Sequence, residues 1–185
     1  DNGSGSAAWI AKGIKFAVDN GADIISMSLG MSGTSHAIAR SLSYAKSKGC
    51  LVFCAAGNDG NHVDIQYPAN SEDTISIGAI DKDLNVCNFS CSGDSLDFLA
   101  PGQDIISCTP NNTYSKTSGT SMATPFASGC AALLLSLVKK KFTMEEIVKE
   151  FAENALPLED PRYKGNKKYE GYGIIRPRIW FKPSA

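Results

Sequence analysis

The stretch from Ile24 to Cys54 most restricts what this chain can fold into. Ile24 to Leu29 reads as a strand with Ile25, Met27 and Leu29 on one face. A helical pattern follows through Ile38, Leu42 and Ala45 and stops at Gly49, and Cys50-Leu51-Val52-Phe53-Cys54 is then continuously apolar. Strand, helix and buried strand with short connections make the βαβ unit of a parallel sheet, which needs helices over both faces.

The rest of the chain supplies those layers. Ser6 to Asn20 places Ala7, Ile10, Ile14, Ala17 and Val18 at three- and four-residue intervals, and Asn20-Gly21 closes the helix. Thr74 to Ile80 is a further strand, with shorter apolar pieces at Leu96 to Ala100 and Ile105-Ile106. From Thr120 to Lys141 a long helix is outlined by Met122, Phe126, Cys130, Leu133, Leu134, Leu137 and Val138; Pro125 is tolerated in its first turn. Thr143 and Glu146 form a capping-box pattern that opens another helix with Ile147, Val148 and Phe151 inside. The tail from Pro157 onward, rich in Pro, Gly, Lys and Tyr, is expected to wrap the surface. The predicted fold is α/β, three-layered, with helices on both faces of a mainly parallel sheet. Residues 1–185 carry no repeat and no internal linker, so they belong to one domain.

Charge and apolar patterning exclude some partners. The net charge is −1 and no basic stripe is present, which argues against nucleic acid. The run Lys139 to Lys141 complements a helix C-terminus. The longest apolar stretch, Cys130 to Leu135, falls well short of the roughly 20 residues that cross a bilayer, so no membrane is expected. Cys50, Cys54, Cys87, Cys91, Cys108 and Cys130 show no metal-binding or redox-pair spacing. They read mainly as structural thiols and favour a reducing, intracellular compartment. Two glycosylation-like triplets, at Asn88 and Asn111, point the other way.

Three segments carry chemistry. Gly119-Thr120-Ser121-Met122-Ala123-Thr124-Pro125 puts Ser121 at a helix N-terminus, among unpaired N–H groups that favour the charge developing when a serine attacks a carbonyl. A plain Ser or Thr cap would read the same way. Ala55-Ala56-Gly57-Asn58-Asp59-Gly60 lies where a parallel strand ends, the edge at which such sheets place ligands; the Asn58 amide can donate to an oxyanion there. Ser26-Met27-Ser28-Leu29-Gly30 ends the neighbouring strand at that edge. Each has a bland account as a turn or strand exit, but not all three in this order.

With these residues in place, the chain resembles the C-terminal part of a subtilisin-like serine endopeptidase. The resemblance runs from Gly3-Ser4-Gly5 to Gly171-Tyr172-Gly173, and Gly-Thr-Ser-Met-Ala-x-Pro is its most specific motif. It implies that Ser121 is the nucleophile and that Asn58, with the Ser121 N–H, forms the oxyanion hole. It also implies that a substrate strand lies between Gly3, Ser4 and Gly5 and Ser28, Leu29 and Gly30. The first specificity pocket would be walled by Ser28 to Gly30 and by Ala55, Ala56 and Gly57, with Gln66 at its base. Asp97 resembles the carboxylate of a weak cation site that also uses carbonyls near Ala69, where calcium would be a structural ion; one carboxylate is far short of a coordination shell, so a solvated surface aspartate is the preferred reading, and no cofactor is needed for the chemistry. The family is often secreted.

The departures are as informative. Triads of this family run Asp, His, Ser along the chain, so both partners should precede Ser121. Neither an Asp-Thr/Ser-Gly turn after an apolar strand nor a His-Gly-Thr/His motif is present. Asp1-Asn2-Gly3 follows no strand; His36 starts a helix, and His62 lies in a loop. Residues 1–185 are therefore expected to be a partial peptidase domain. Its aspartate and histidine would come from an N-terminal section in the same chain or a separate one, and the section alone would be inactive. A non-catalytic peptide-binding or structural module is the alternative. An α/β-hydrolase esterase is disfavoured, because Ala123 stands where that nucleophile elbow needs glycine and no histidine follows Ser121.

Overall fold

The computed structural model describes residues 4–177. Its elements are α1 (Ala7–Asp19), β1 (Ile24–Met27), α2 (His36–Ser47), β2 (Leu51–Ala55), β3 (Ile75–Ile80), β4 (Phe98–Pro101), β5 (Ile105–Thr109), β6 (Thr113–Thr117), α3 (Thr120–Val138), α4 (Met144–Asn154) and α5 (Lys167–Glu170). Strands β1 to β4 form one parallel sheet in that order. Leu51 lies opposite Ile24, Ile75 opposite Phe53, and Phe98 opposite Ile77.

Every residue of β2 and β3 is buried, because their apolar side chains alternate between two cores. Val52 and Cys54 pack with Ala11, Ile14, Ile38 and Leu42 of α1 and α2. Leu51, Phe53, Ile75 and Ile77 pack with Ala123, Ala127, Ala131, Leu134, Ile147 and Phe151 of α3 and α4. The small residues of α3 let the helix lie close on the sheet. The expected three-layer α/β architecture is thus present, with N-caps from Ser6, Ser35 and Thr143 where the helices begin. The Thr143–Glu146 capping box is formed.

Four features differ from the sequence reading. Strand β1 ends at Met27, so Leu29 lies on the exit loop. Ile105-Ile106 opens an antiparallel hairpin, with Ile105 paired to Thr117 and Thr109 to Thr113. The tail is partly core: Leu158, Asp160, Ile174 and Ile175 are buried. Ile174 bridges both Leu99 and Leu156. Finally, α3 has 19 residues at mean hydropathy 1.6, long and apolar enough to cross a membrane, which the short run Cys130 to Leu135 understates. It lies instead against the sheet, with Thr120, Thr124 and Ser128 buried along it. Its outer face keeps Phe126, Leu133, Leu137 and Val138 exposed.

Candidate active site

Because β1 and β2 are parallel, their exits open at one edge of the sheet, and the first turn of α3 is held there. Ser28 Oγ donates to the Ser121 carbonyl over 2.8 Å, tying the β1 exit to the helix start. Gly57 N–H donates to Thr120 Oγ1 at 3.2 Å. Asn58 Oδ1 accepts from Thr120 N–H at 2.8 Å and from Thr120 Oγ1 at 3.0 Å. Its carbonyl oxygen is thereby spent on Thr120, which turns the NH2 end of the amide away from that residue.

Ser121 is the second residue of α3, where a helix offers no carbonyl one turn back for its N–H. Ser121 is half-buried and Asn58 exposed, so both are reachable from solvent. Beside Ser121 is a cavity of about 240 Å³ lined by Ile105, Ser107, Met122, Pro125 and Phe126. A serine hydroxyl, a half-fixed amide and the Ser121 N–H at one sheet edge can bind and stabilise an oxyanion. Neither histidine lines that cavity. His36 is exposed at the start of α2, and His62 Nδ1 pairs with the Tyr169 hydroxyl at 3.2 Å.

The residues expected to bind substrate fall as follows. Gly3 lies outside the described residues; Ser4, Gly5, Ser28 and Gly30 are exposed and Leu29 is half-buried. Ala55, Ala56 and Gly57 are buried. Gln66 N–H donates to the Ala56 carbonyl at 2.9 Å. The Gln66 side chain lies between the two walls. A Cβ at Gly57 would come within 2.8 Å of its Cγ and Cδ, and one at Gly30 would collide with its Oε1. Gly57 also has φ +113°, so glycine is required there on both counts. Gln66 Nε2 donates to Asp59 Oδ2, leaving Oε1 on the Gly30 side. Sequence reasoning missed that bond, and it missed Thr120, whose hydroxyl reads as an ordinary cap.

The surroundings of Asp97 do not fit a calcium ion. Its Oδ2 accepts from Ser76 N–H at 2.8 Å and Ser76 Oγ at 3.1 Å, and burial raises its pKa. The carbonyls of Pro68, Ala69 and Ser71 already face the Thr74 hydroxyl at 3.0, 3.2 and 2.9 Å. Calcium needs six to eight oxygens, and here a buried hydroxyl occupies the place where three of them converge. Among the described residues no cluster of three metal-ligating side chains exists. All six cysteines are free; burial pushes Cys54 and Cys87 up to about 12 and Cys50 up to about 11, so these are neutral, inert thiols.

A sheet-edge serine at a helix N-terminus thus lies beside a strand-exit asparagine, and comparison with known proteins gives the family. Residues 1–173 match the model of the subtilase family, Peptidase_S8. The chain belongs to the subtilase family. It is 38% identical over 173 residues to an intracellular serine protease of Paenibacillus polymyxa, covering 89% of this chain and 53% of the relative. It is 39% identical over 176 residues to subtilisin E of Bacillus subtilis (strain 168), covering 94% of this chain and 44% of the relative. Among solved structures, Sphericase superposes with a TM-score of 0.86 at 29% identity, over 95% of this chain and 65% of that one. The prenylagaramide maturation protease PagA superposes with a TM-score of 0.84 at 29% identity, over 96% of this chain and 68% of that one. The chain spans about half the length of the curated relatives it matches.

Proposed function

We propose that this chain is the nucleophile-bearing section of a serine endopeptidase. Ser121 Oγ attacks a peptide carbonyl and forms an acyl-enzyme; the Asn58 NH2 and the Ser121 N–H receive the negative oxygen of the tetrahedral intermediate. The observation that carries this reading is the double acceptance of Thr120 by Asn58 Oδ1, which commits the other end of the amide to donating. The substrate is a peptide or protein lying along Gly3 to Gly5 and Ser28 to Gly30, with its first side chain directed toward Gln66 between Gly30 and Gly57. The proton shuttle is a histidine oriented by an aspartate, both from a section outside residues 1–185. Support comes from the engagement of His62 with Tyr169 and from relatives about twice as long. The open β1 edge and the exposed Phe126–Leu133–Leu137 stripe of α3 are the surfaces such a section would cover. Six free thiols, together with a relative named as intracellular, favour a reducing compartment.

The test is hydrolysis of a chromogenic peptide by residues 1–185 and by the protein extended through an upstream Asp and His, each with Ser121→Ala as blank. The extended protein should turn over. The section alone should be slower by about a million-fold, the loss known for removing the base in subtilisin. Turnover by residues 1–185 that Ser121→Ala abolishes would make His36 or His62 the base. No turnover by either form would favour a non-catalytic peptide-binding module.

A further inference from the structure

The turn that carries Asn58 is backed by a short ladder of main-chain bonds as well as by the Gln66 side chain. Residues 57–63 run against residues 88–92: Gly60 N–H donates to the Phe89 carbonyl at 3.0 Å, Asn61 N–H to the Asn88 carbonyl at 3.2 Å, and Ser92 N–H to the Val63 carbonyl at 3.1 Å. In this ladder Cys91 alone contacts both neighbours of Asn58. Its N–H donates to the Gly57 carbonyl at 3.0 Å. Its Sγ accepts the Asp59 N–H at 3.4 Å. The sulfur also lies directly behind Gly57, where an added Cβ would come within 2.9 Å of it. Cys91 is 1% exposed. Burial raises its pKa, so it acts as a neutral acceptor and not as a nucleophile.

We propose that Cys91 is a positioning residue for the oxyanion hole, its backbone N–H and its sulfur fixing Gly57 and Asp59 so that the Asn58 amide keeps its aim. This rests on the reading of Asn58 as the oxyanion donor. Thr120 fixes the oxygen end of that amide and Cys91 fixes its backbone; with both ends anchored, the NH2 has one direction available. Sulfur suits the place because it accepts an N–H at 3.4 Å, whereas a hydroxyl oxygen accepts at about 2.9 Å. Serine at this position leaves a gap that the turn must close, because its oxygen needs a shorter N···O distance and sits on a shorter bond to Cβ. Alanine leaves no acceptor.

The experiment is a double-mutant cycle on the protein carrying its upstream section. Turnover, Michaelis constant and melting temperature are measured for Cys91→Ala, Cys91→Ser, Asn58→Ala and Cys91→Ala/Asn58→Ala. Cys91→Ala should lower turnover about ten-fold with the Michaelis constant within about two-fold, and Cys91→Ser should fall between it and the parent. Asn58→Ala should lower turnover about a hundred-fold or more, and the double variant should be no slower than Asn58→Ala alone, because there is then no amide left to aim. Parent-like turnover in Cys91→Ala, or losses that multiply in the double variant, would overturn the proposal while leaving the role of Asn58 intact. Parent-like turnover in Asn58→Ala would overturn the oxyanion reading and the proposal with it. If Cys91→Ala does not fold, the same cycle with Cys91→Ser decides, with multiplicative losses counting against the positioning role.

Discussion

On the proposed endopeptidase reading, removal of the Gln66 side chain should change what is accepted before the scissile bond. Gln66 fills the space between Gly30 and Gly57 and ties its Nε2 to the Asp59 carboxylate. A Phe or Leu side chain entering there has two courses. It can bury Oε1 without a partner, or push the amide aside and break its bond to a charged acceptor. Either costs about 1–3 kcal/mol. At about 1.4 kcal/mol per ten-fold, that is a penalty of roughly 5- to 150-fold in kcat/KM. Small or polar side chains avoid it. Gln66→Gly keeps the main-chain bond from residue 66 to the Ala56 carbonyl and empties the space, so it should shift preference toward large apolar residues by roughly 5- to 150-fold. The assay is the ratio of kcat/KM for matched Phe and Gln peptide substrates in both forms of the protein with its upstream section. A ratio unchanged within about two-fold would put Gln66 outside the pocket and refute the reasoning.

Three further outcomes are expected. Asn58→Leu should lower turnover by roughly 10²–10³ with little change in KM, the magnitude known from subtilisin for losing this donor; a raised KM with turnover intact would make Asn58 a binding or turn residue. Asp160, 2% exposed, is held below its ordinary pKa of 3.8 chiefly by Arg162, with the Val86 N–H also bonded to it. A depressed carboxylate stabilises the fold fully above that ordinary value and loses its contribution as pH falls from there through the lower folded value, so Asp160→Asn should cost about 2 kcal/mol near neutrality and progressively less below pH 3.8; a loss that does not shrink as pH falls would refute the linkage. Calcium added after chelation should leave the melting temperature within about 1 °C, because the Thr74 hydroxyl already occupies the converging carbonyls; a rise of several degrees would show that the ion binds.

The parts of the fold that follow from periodicity were legible. Ile38, Leu42 and Ala45 are buried on α2 as their spacing predicts, and the all-apolar β2 is covered on both faces. The β5–β6 hairpin was not, because Thr113–Thr117 is almost wholly exposed and shows neither alternation nor an apolar run. The buried tail was missed because its apolar residues come as the short pieces Ala155 to Leu158 and Ile174-Ile175 between polar stretches, and Ile174 is placed by pairing with Leu99 and Leu156 and not by any local pattern. At the site, Ser121 and Asn58 could be brought together from the rule about strand exits, since the two elements that carry them have recognisable ends. The supports of Asn58 could not. Thr120 acts through its side chain on a loop 62 positions away, and Cys91 through a sulfur that sequence reads only as a small hydrophobe.

The bridge between Ile174 and Leu99 also bears on when this section can fold during synthesis. Strands β1 to β3 can pair as soon as they emerge, but β4 gains its outer partner only when residue 174 is made. Leu99 N–H donates to the Gly173 carbonyl, and Ile175 N–H donates back to the Leu99 carbonyl. About 75 residues must be translated between the two partners, which at about 5–20 residues per second leaves that edge open for roughly 4–15 s. A nascent chain stalled within that interval presents an unpaired apolar strand, the kind of surface that chaperones occupy.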